Sequence, residues 1–528
     1  MKLSSFVSSR LLCSVTLGMA PLLLTQVGCG GVAPDEQVPG ETSYMEYGAL
    51  AVDPRTDTIF SLQTFFEPTP TPSVESDPIE SPTVEPTSAP EPVLLSRELY
   101  GIRPQDGTFQ SLGNVFDVEN IALLFPKDRL MMVGYLQNQP LLRLYDAQTL
   151  SLEEEAFPAV TSWGGVTVAP SGNTFAVQDW TNEGEDSKLT VTLGSLETLE
   201  THSLTLSESS SRMVWSPTED RLVLSMYTLN PESQLPSIRV LSWTLDALEK
   251  NAYTLDEEGL WVGASVDVRL EQQTPGQGYY SAPMISPEGD YLIQSTFHVT
   301  ESDTDGDGDQ DLSIDDSMIH LISLPSGQIR TLRGLEGPAN FTPDGSTLVA
   351  NRQAVSTNAN GETLSQSMLV LVDVETLAYE ETLLSEDGYS DYFVTREGNF
   401  VVIDMEPIYS TNEETGEQET VDSNLMIFDI DAGVMRTITD SAVEIADYVT
   451  RPGHGELWSL SGTKLYRIDY VSAKVQNINT SWESAFIHYL PNMDKLVLME
   501  RAKPVLHLVD PDSLFVERAI TLPTPEAP

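Results

Sequence analysis

One phrase returns along this chain: a short aliphatic strand, a turn carrying Pro or Gly, a second aliphatic strand, and later an aliphatic run that closes on Asp. The clearest turns are Ala169-Pro170-Ser171-Gly172, Trp215-Ser216-Pro217-Thr218, Ile285-Ser286-Pro287-Glu288-Gly289 and Phe341-Thr342-Pro343-Asp344-Gly345. Weaker versions stand at Val52-Asp53-Pro54, Phe125-Pro126-Lys127-Asp128, Thr395-Arg396-Glu397-Gly398, Arg451-Pro452-Gly453 and Leu490-Pro491-Asn492. The closing runs include Leu142-Arg143-Leu144-Tyr145-Asp146, Leu369-Val370-Leu371-Val372-Asp373, Leu465-Tyr466-Arg467-Ile468-Asp469 and Leu506-His507-Leu508-Val509-Asp510. Pro presets the φ of a tight turn and Gly accepts the positive φ that follows, so each phrase folds the chain back on itself. The flanking runs are of strand length, and no window of helical period is long enough to propose a second, α-rich domain.

A period of roughly 40–45 residues with four short strands per unit is the pattern of a β-propeller, whose blades bury their faces only against neighbours. The expectation is therefore an all-β chain forming a single β-propeller over residues 45–523. The turn phrase points to nine units, while propellers typically have four to eight blades, so seven to nine four-stranded blades are expected. These turns and Leu-x-Leu-x-Asp strands resemble the WD40-like and YVTN-type propellers of bacterial envelope proteins. The Gly-His and Trp-Asp dipeptides of true WD40 blades are missing.

The first residues carry an address. Lys2 and Arg10 precede an apolar run from Leu11 to Leu24, too short to span a bilayer as a helix, and Gly28 precedes Cys29. Residues 1–28 resemble a bacterial lipoprotein signal peptide, although Gln26 stands where such signals prefer Leu. The resemblance implies cleavage before Cys29, acylation of that residue, and a place in the cell envelope on the outer membrane, facing the periplasm or the exterior. Residues 29–44, with Gly30, Gly31, Pro34 and Gly40, would then be a flexible tether, and 524–528 a short tail. The only other cysteine, Cys13, lies in the signal, so disulfides do not enter the account of stability.

Charge narrows the partners. With 27 Lys and Arg against 80 Asp and Glu, the formal net charge is −53. Such a surface repels phosphate backbones, which argues against nucleic acid as a partner. One acidic segment has a spacing that plain solvation does not need: Asp303-Thr304-Asp305-Gly306-Asp307-Gly308-Asp309-Gln310-Asp311. Alternating carboxylates can wrap a hard cation that wants six to eight oxygens, with Gly308 permitting the bend. An EF-hand would place Glu where Ile314 stands, and the flanks read as strands. The segment resembles the Asp-x-Asp-x-Asp-Gly-x-x-Asp loops of FG-GAP and integrin-type propellers. By that resemblance Asp303, Asp305, Asp307 and Asp311 would bind Ca²⁺ through side chains and Asp309 through its carbonyl, a structural site.

If strands are named a to d outward from the hub, the extra residues fall almost always between b and c: 67–92, 179–187, 228–237, 299–317, 353–367 and 406–424. Residues 67–92 carry eight prolines among Glu, Thr and Ser and read as a mobile polyproline-rich loop. Because b–c connections leave one face of a propeller, these loops would gather on that face, where binding residues are disproportionately carried. No catalytic constellation stands out. The histidines at 202, 298, 320, 454, 488 and 507 form no His-Glu-x-x-His pair and no Gly-x-Ser-x-Gly elbow exists; only His298 and His320, on strands either side of the acidic loop, are placed to meet. The leading expectation is a lipid-anchored module, not an enzyme, that binds a protein or glycan through the b–c face. The alternative is a propeller-type hydrolase or lactonase with a metal at the central funnel. The lipoprotein reading makes a direct prediction: Cys29→Ala moves the protein from the membrane to the soluble fraction of fractionated cells, and an unchanged distribution rejects acylation.

Overall fold

A computed structural model of the chain describes residues 44–47, 51–66, 94–115, 118–160, 162–163, 165–183, 186–206, 210–229, 236–244, 264–271, 277–280, 283–302, 311–357, 363–385, 390–405, 408–411, 418–422, 425–438, 447–500 and 503–522. The described residues hold strands and turns and no helix. Nine meandering antiparallel sheets follow one another along the sequence, at 44–114, 118–156, 167–206, 210–271, 277–333, 336–385, 390–438, 447–479 and 484–521, here blades 1 to 9. The chain is thus an all-β, nine-bladed β-propeller, at the upper end of the expected count. Strand order within each blade is chain order, and only the innermost strand of blades 1 and 5 is split into two pieces.

Blade 6 shows how sequence sets the unit. Its strands are Glu336–Phe341, Thr347–Thr357, Thr363–Asp373 and Tyr379–Ser385. Gly345 closes the first turn with φ 71°, where a side chain would be strained. Strand b runs Leu348-Val349-Ala350, all fully buried, because successive side chains face two neighbouring blades at once. The outermost strands are wet on one side: Leu152–Ala156 is exposed along nearly its whole length and Ile329–Arg333 alternates.

Several c–d turns are built around one carboxylate, while that of blade 3 uses the Ser195 hydroxyl, which accepts the Glu197 and Thr198 amides at 3.2 and 3.1 Å. Asp146 Oδ1 accepts the Thr149 amide at 2.6 Å and the Thr149 hydroxyl at 2.7 Å. Asp373 does the same with Thr376 at 2.7 and 2.6 Å, and Asp510 with Ser513 at 2.7 and 2.7 Å. These donors hold the Asp146 and Asp373 carboxyls below the usual carboxylate range; for Asp510 the Lys495 ammonium is the larger cause and Ser513 adds to it. The following residue takes the left-handed conformation, Gly107, Gly327 and Gly433 in three blades but Leu150, Leu377 and Leu514 in others. That conformation is unfavourable for Leu. At Leu150 burial compensates, since its side chain lies against Gly101 so closely that a Cβ there would stand 2.5 Å from Leu150 Cδ1.

The blades form two compact units, one holding blades 3 to 8 and one holding blades 1, 2 and 9. In the larger unit an apolar cluster fills every seam in turn. Leu189 and Val191 meet Trp215 and Trp243, Val223 and Val240 meet Leu292 and Ile322, and Ile319 and Leu321 meet Leu348 and Val370. Val349 and Leu369 then meet Val401 and Ile403, and Val402 and Ile427 meet Leu457 and Ile468. In the smaller unit the last blade packs on the first, with Val52, Ile59 and Ile102 against Leu490, Val497, Leu506 and Leu508.

Arginines stitch the rim of these seams. Arg330, in strand d of blade 5, donates to the carbonyls of Val374 and Glu375 at 2.7 Å each, in the c–d turn of blade 6. Arg436 of blade 7 donates to the Val471 carbonyl in the corresponding turn of blade 8. Arg518 of blade 9 reaches the carbonyls of Pro104 and Gln105 in blade 1, both at 3.0 Å, so the chain's two ends are joined by the same device. Asn492 adds to it, its amide donating to Pro54 O, Arg55 O and Asp57 Oδ1 at 3.0, 3.2 and 3.2 Å. Hydrogen bonds to a charged partner are worth about 1.5–3 kcal/mol each. Arg518→Ala is accordingly expected to lower unfolding free energy by about 2–3 kcal/mol in urea titration, whereas Arg129→Ala, whose ion pair with Glu153 is exposed on both sides, costs under about 1 kcal/mol.

Candidate functional site at the b–c end of the blades

The two ends of many blades differ in turn length. The a–b ends, and the c–d ends outside blade 4, are tight, built on Pro, Gly and capped Asp or Ser. The b–c ends are long in five consecutive blades of the larger unit. Strands b and c run Thr174–Glu183 with Asp186–Ser195, Arg221–Leu229 with Pro236–Thr244, Tyr291–Ser302 with Asp311–Ser323, and Thr347–Thr357 with Thr363–Asp373. Blade 7 instead inserts a separate hairpin, Ile408–Thr411 with Gln418–Asp422, between Phe400–Met405 and Leu425–Asp429. By contrast, Glu456–Ser461 and Lys464–Asp469 of blade 8 are joined by a two-residue turn.

The described parts of these inserts are strand. Residues 179–183 pair rung by rung with 186–190, and 353–357 with 363–367, so this extra length continues the ladder outward as two-stranded ribbons. Thr, Ser, Val and Gln at these positions keep strand propensity while their polarity masked it in the sequence. One insertion escapes the rule, for residues 245–265 join strands c and d of blade 4 and leave its other end.

Inside the blades, the b–c half is polar. Strand b typically begins with three or four apolar residues and then turns to a hydrogen-bonding one: Ser225, Gln294, Asn351 and Ser459 are all buried. Ser225 Oγ donates to Gln294 Oε1 across the blade 4–5 seam at 2.6 Å, Ser367 Oγ to Asn351 Oδ1 at 3.2 Å, and Ser162 Oγ to Asp179 Oδ1 at 2.6 Å. In blade 9 the same half holds Glu500, whose carboxylate meets His507 Nε2 at 3.4 Å, while Trp482 stacks on the His507 ring at 3.9 Å. This buried polar layer is a feature the sequence reading missed. Its signal is present, however, as one polar residue ending each aliphatic run of strand b.

Of the residues marked out by the sequence, Cys29 and Asp303, Asp305, Asp307 and Asp309 lie outside the described residues, as do the Pro-rich segment 67–92 and the signal and tether up to residue 43. Asp311 opens strand c of blade 5 and pairs with Ser302, so the flanks of the acidic segment are strands. His298 and His320 are not brought together, since the register sets His298 opposite Asp315 and His320 opposite Gln294. The bulge between Thr296 and His298 shifts the rungs. His320 instead sits between two hydroxyls, Nε2 at 3.1 Å from Thr296 and Nδ1 at 3.0 Å from Thr331. Among the described residues no three His, Cys, Asp or Glu side chains converge as a metal site.

Burial, and secondarily the Arg333 charge, holds the His320 imidazole down at about 4. An unfolded His titrates near 6.5. Between those values the folded chain binds fewer protons than the unfolded one, so this group's contribution is complete above about pH 6.5 and is lost as pH falls toward 4. In NMR titration the His320 ring shifts should stay flat from pH 8 to 5, and His320→Gln should reduce the loss of stability over pH 6.5 to 4. An ordinary titration midpoint near 6.5 would show that the ring is not buried as described.

No protein-family model matches the chain, and no curated protein matches it. Among solved structures the chain is similar to a eukaryotic initiation factor, with 10% identity over 74% of this chain and 85% of that one and a TM-score of 0.46. It is also similar to dipeptidyl peptidase 4 of Porphyromonas gingivalis, with 10% identity over 78% of this chain and 60% of that one and a TM-score of 0.44. A third is the dihydro-heme d1 dehydrogenase NirN, with 11% identity over 76% and 75% of the two chains and a TM-score of 0.41. Likenesses this distant carry no argument about activity, and function has to be read from this chain's own surface.

Proposed function

We propose that the chain is a lipid-anchored, extracytoplasmic binding module that engages a protein or glycan partner through the b–c end of its blades. The observation that carries this reading is the one-sided decoration of the larger unit: blades 3 to 7 lengthen their b–c hairpins while their a–b turns stay short. Paired ribbons held by a rigid sheet lose little entropy on docking, which is what a recognition surface needs and what a merely drifting loop does not supply. Partners would be of neutral or basic character, because a net charge of −53 opposes anionic ones. Ca²⁺ bound by Asp303, Asp305, Asp307, Asp309 and Asp311 would fix the tip of the longest hairpin, that of blade 5, and so present it in one conformation.

Two measurements test this. Removing residues 409–421 should abolish capture of whichever partner the whole protein cross-links in intact envelopes, with the thermal midpoint of the shortened protein little changed; undiminished capture rejects the b–c end as the surface. Calorimetry with millimolar Ca²⁺ should give a saturable heat that Asp305→Ala removes, and a flat trace in the unaltered protein rejects the ion site.

A further inference from the structure

Carboxylates tie the a–b turns of some adjoining blades together. Asp220 of blade 4 accepts the Ser171 amide of blade 3 at 3.0 Å, Glu397 of blade 7 accepts the Gly453 amide of blade 8 at 3.0 Å, and Asp57 of blade 1 accepts the Asn492 amide of blade 9 at 3.3 Å. Of these three, Asp220 and Glu397 are half-buried, whereas Asp57 is fully buried. Its two oxygens are unlike. Oδ1 takes the Asn492 backbone amide and, at 3.2 Å, the Asn492 side-chain amide, while Oδ2 is buried with no hydrogen-bond partner. The joint between the last blade and the first thus holds a carboxylate that is only half met.

Among the described residues no basic side chain bonds to Asp57. Arg55, in the same turn, spends Nε and Nη2 on the Asp53 carboxylate at 2.8 Å each, and Arg129 of blade 2 pairs with Glu153. On the blade 9 turn, Lys495 is bound to Asp510 and Glu517 at 2.5 and 2.9 Å, and Asp494 accepts the Tyr489 hydroxyl at 2.9 Å. A buried carboxylate without a cation is costly as the anion and less so as the neutral acid, which leaves at most one hydroxyl unmet. Burial accordingly lifts the Asp57 carboxyl above its ordinary value, the Asn492 and Met493 donors pull it back in part, and the Asp53 charge adds to the rise.

We propose that the joint between blades 9 and 1 is proton-linked: Asp57 takes up a proton as the two turns seat together, so that mild acid tightens the meeting of the chain's ends and rising pH loosens it. Consecutive blades are joined by the chain, but blades 9 and 1 stand at its two ends and meet through non-covalent contacts, so a change in this joint acts on closure itself. A proton needs no cavity, only the unmet Oδ2. Because the folded group titrates above its ordinary 3.8, the seated turns hold more protons than the unfolded chain between the two values. The contribution is complete below about 3.8 and is lost as pH rises through the folded value. The joint is separate from the hairpins of blades 3 to 7 and does not depend on their being a recognition surface.

The test compares the whole chain with Asp57→Asn, which keeps the shape of the neutral acid and suits the left-handed φ of 55° at this position. Hydrogen exchange read by mass spectrometry, corrected for the intrinsic pH dependence of exchange, should show the blade 9 turn of the unaltered protein opening about twofold or more often at pH 7.5 than at pH 4.5. In Asp57→Asn the turn should open as rarely at the higher pH as at the lower. The thermal midpoint of Asp57→Asn should exceed that of the unaltered protein by more at pH 7.5 than at pH 4.5. A carboxylate that serves only as the charged acceptor of the Asn492 amides would instead make Asp57→Asn loosen the turn at both pH values. That result, equal opening of the unaltered protein at the two pH values, or a pH dependence that Asp57→Asn retains would each overturn the proposal.

Discussion

The seam between neighbouring blades is the interaction on which the rest of the structure depends. A single four-stranded meander cannot cover both of its faces, so each blade is stable only because its apolar residues interlock with those of the next. Around that core the chain repeats a second joint, an arginine of one blade bonded to backbone carbonyls in the c–d turn of another. In a protein with 27 basic residues against 80 acidic ones, placing Arg330, Arg436 and Arg518 at such joints is economical. At Arg330 the planar fork serves two turn carbonyls at once, one from each terminal nitrogen. That Arg518 of the last blade joins blade 1 in the same way makes the meeting of the two chain ends an ordinary seam.

The polarity within each blade follows from the same seams. Apolar residues crowd the half near the Pro and Gly turns, where blades pack most closely, and hydrogen-bonding residues take the half toward the b–c hairpins. Ser225 with Gln294 shows that this polar half is itself a seam, closed by a bond rather than by packing. Directional contacts of this kind tolerate a longer hairpin rising from them, because the ladder can continue without enlarging an apolar face that would be left exposed.

Much of this was legible in the residues. Turns such as Thr342-Pro343-Asp344-Gly345 and closing runs such as Leu369-Val370-Leu371-Val372-Asp373 revealed the unit, a count of seven to nine, and the lengthened b–c ends of blades 3 to 7. The ribbons were harder, since Ser, Thr and Gln look like loop in a sequence and become strand only when a partner strand continues beside them. The expected meeting of His298 with His320 failed for a related reason: the hairpin register sets His320 opposite Gln294, four residues before His298, and no local signal records where a register begins.

Taken alone, the sequence determined what period-two patterning and turn chemistry can encode: an all-β chain of seven to nine repeated units with tight a–b turns, and an acidic surface. Tertiary structure decided which residues meet across seams. The Arg518 joint and the Ser225–Gln294 bond bring groups together through blades that the chain lays side by side, and backbone preferences act over a few residues while seam partners are set by the stacking of whole sheets.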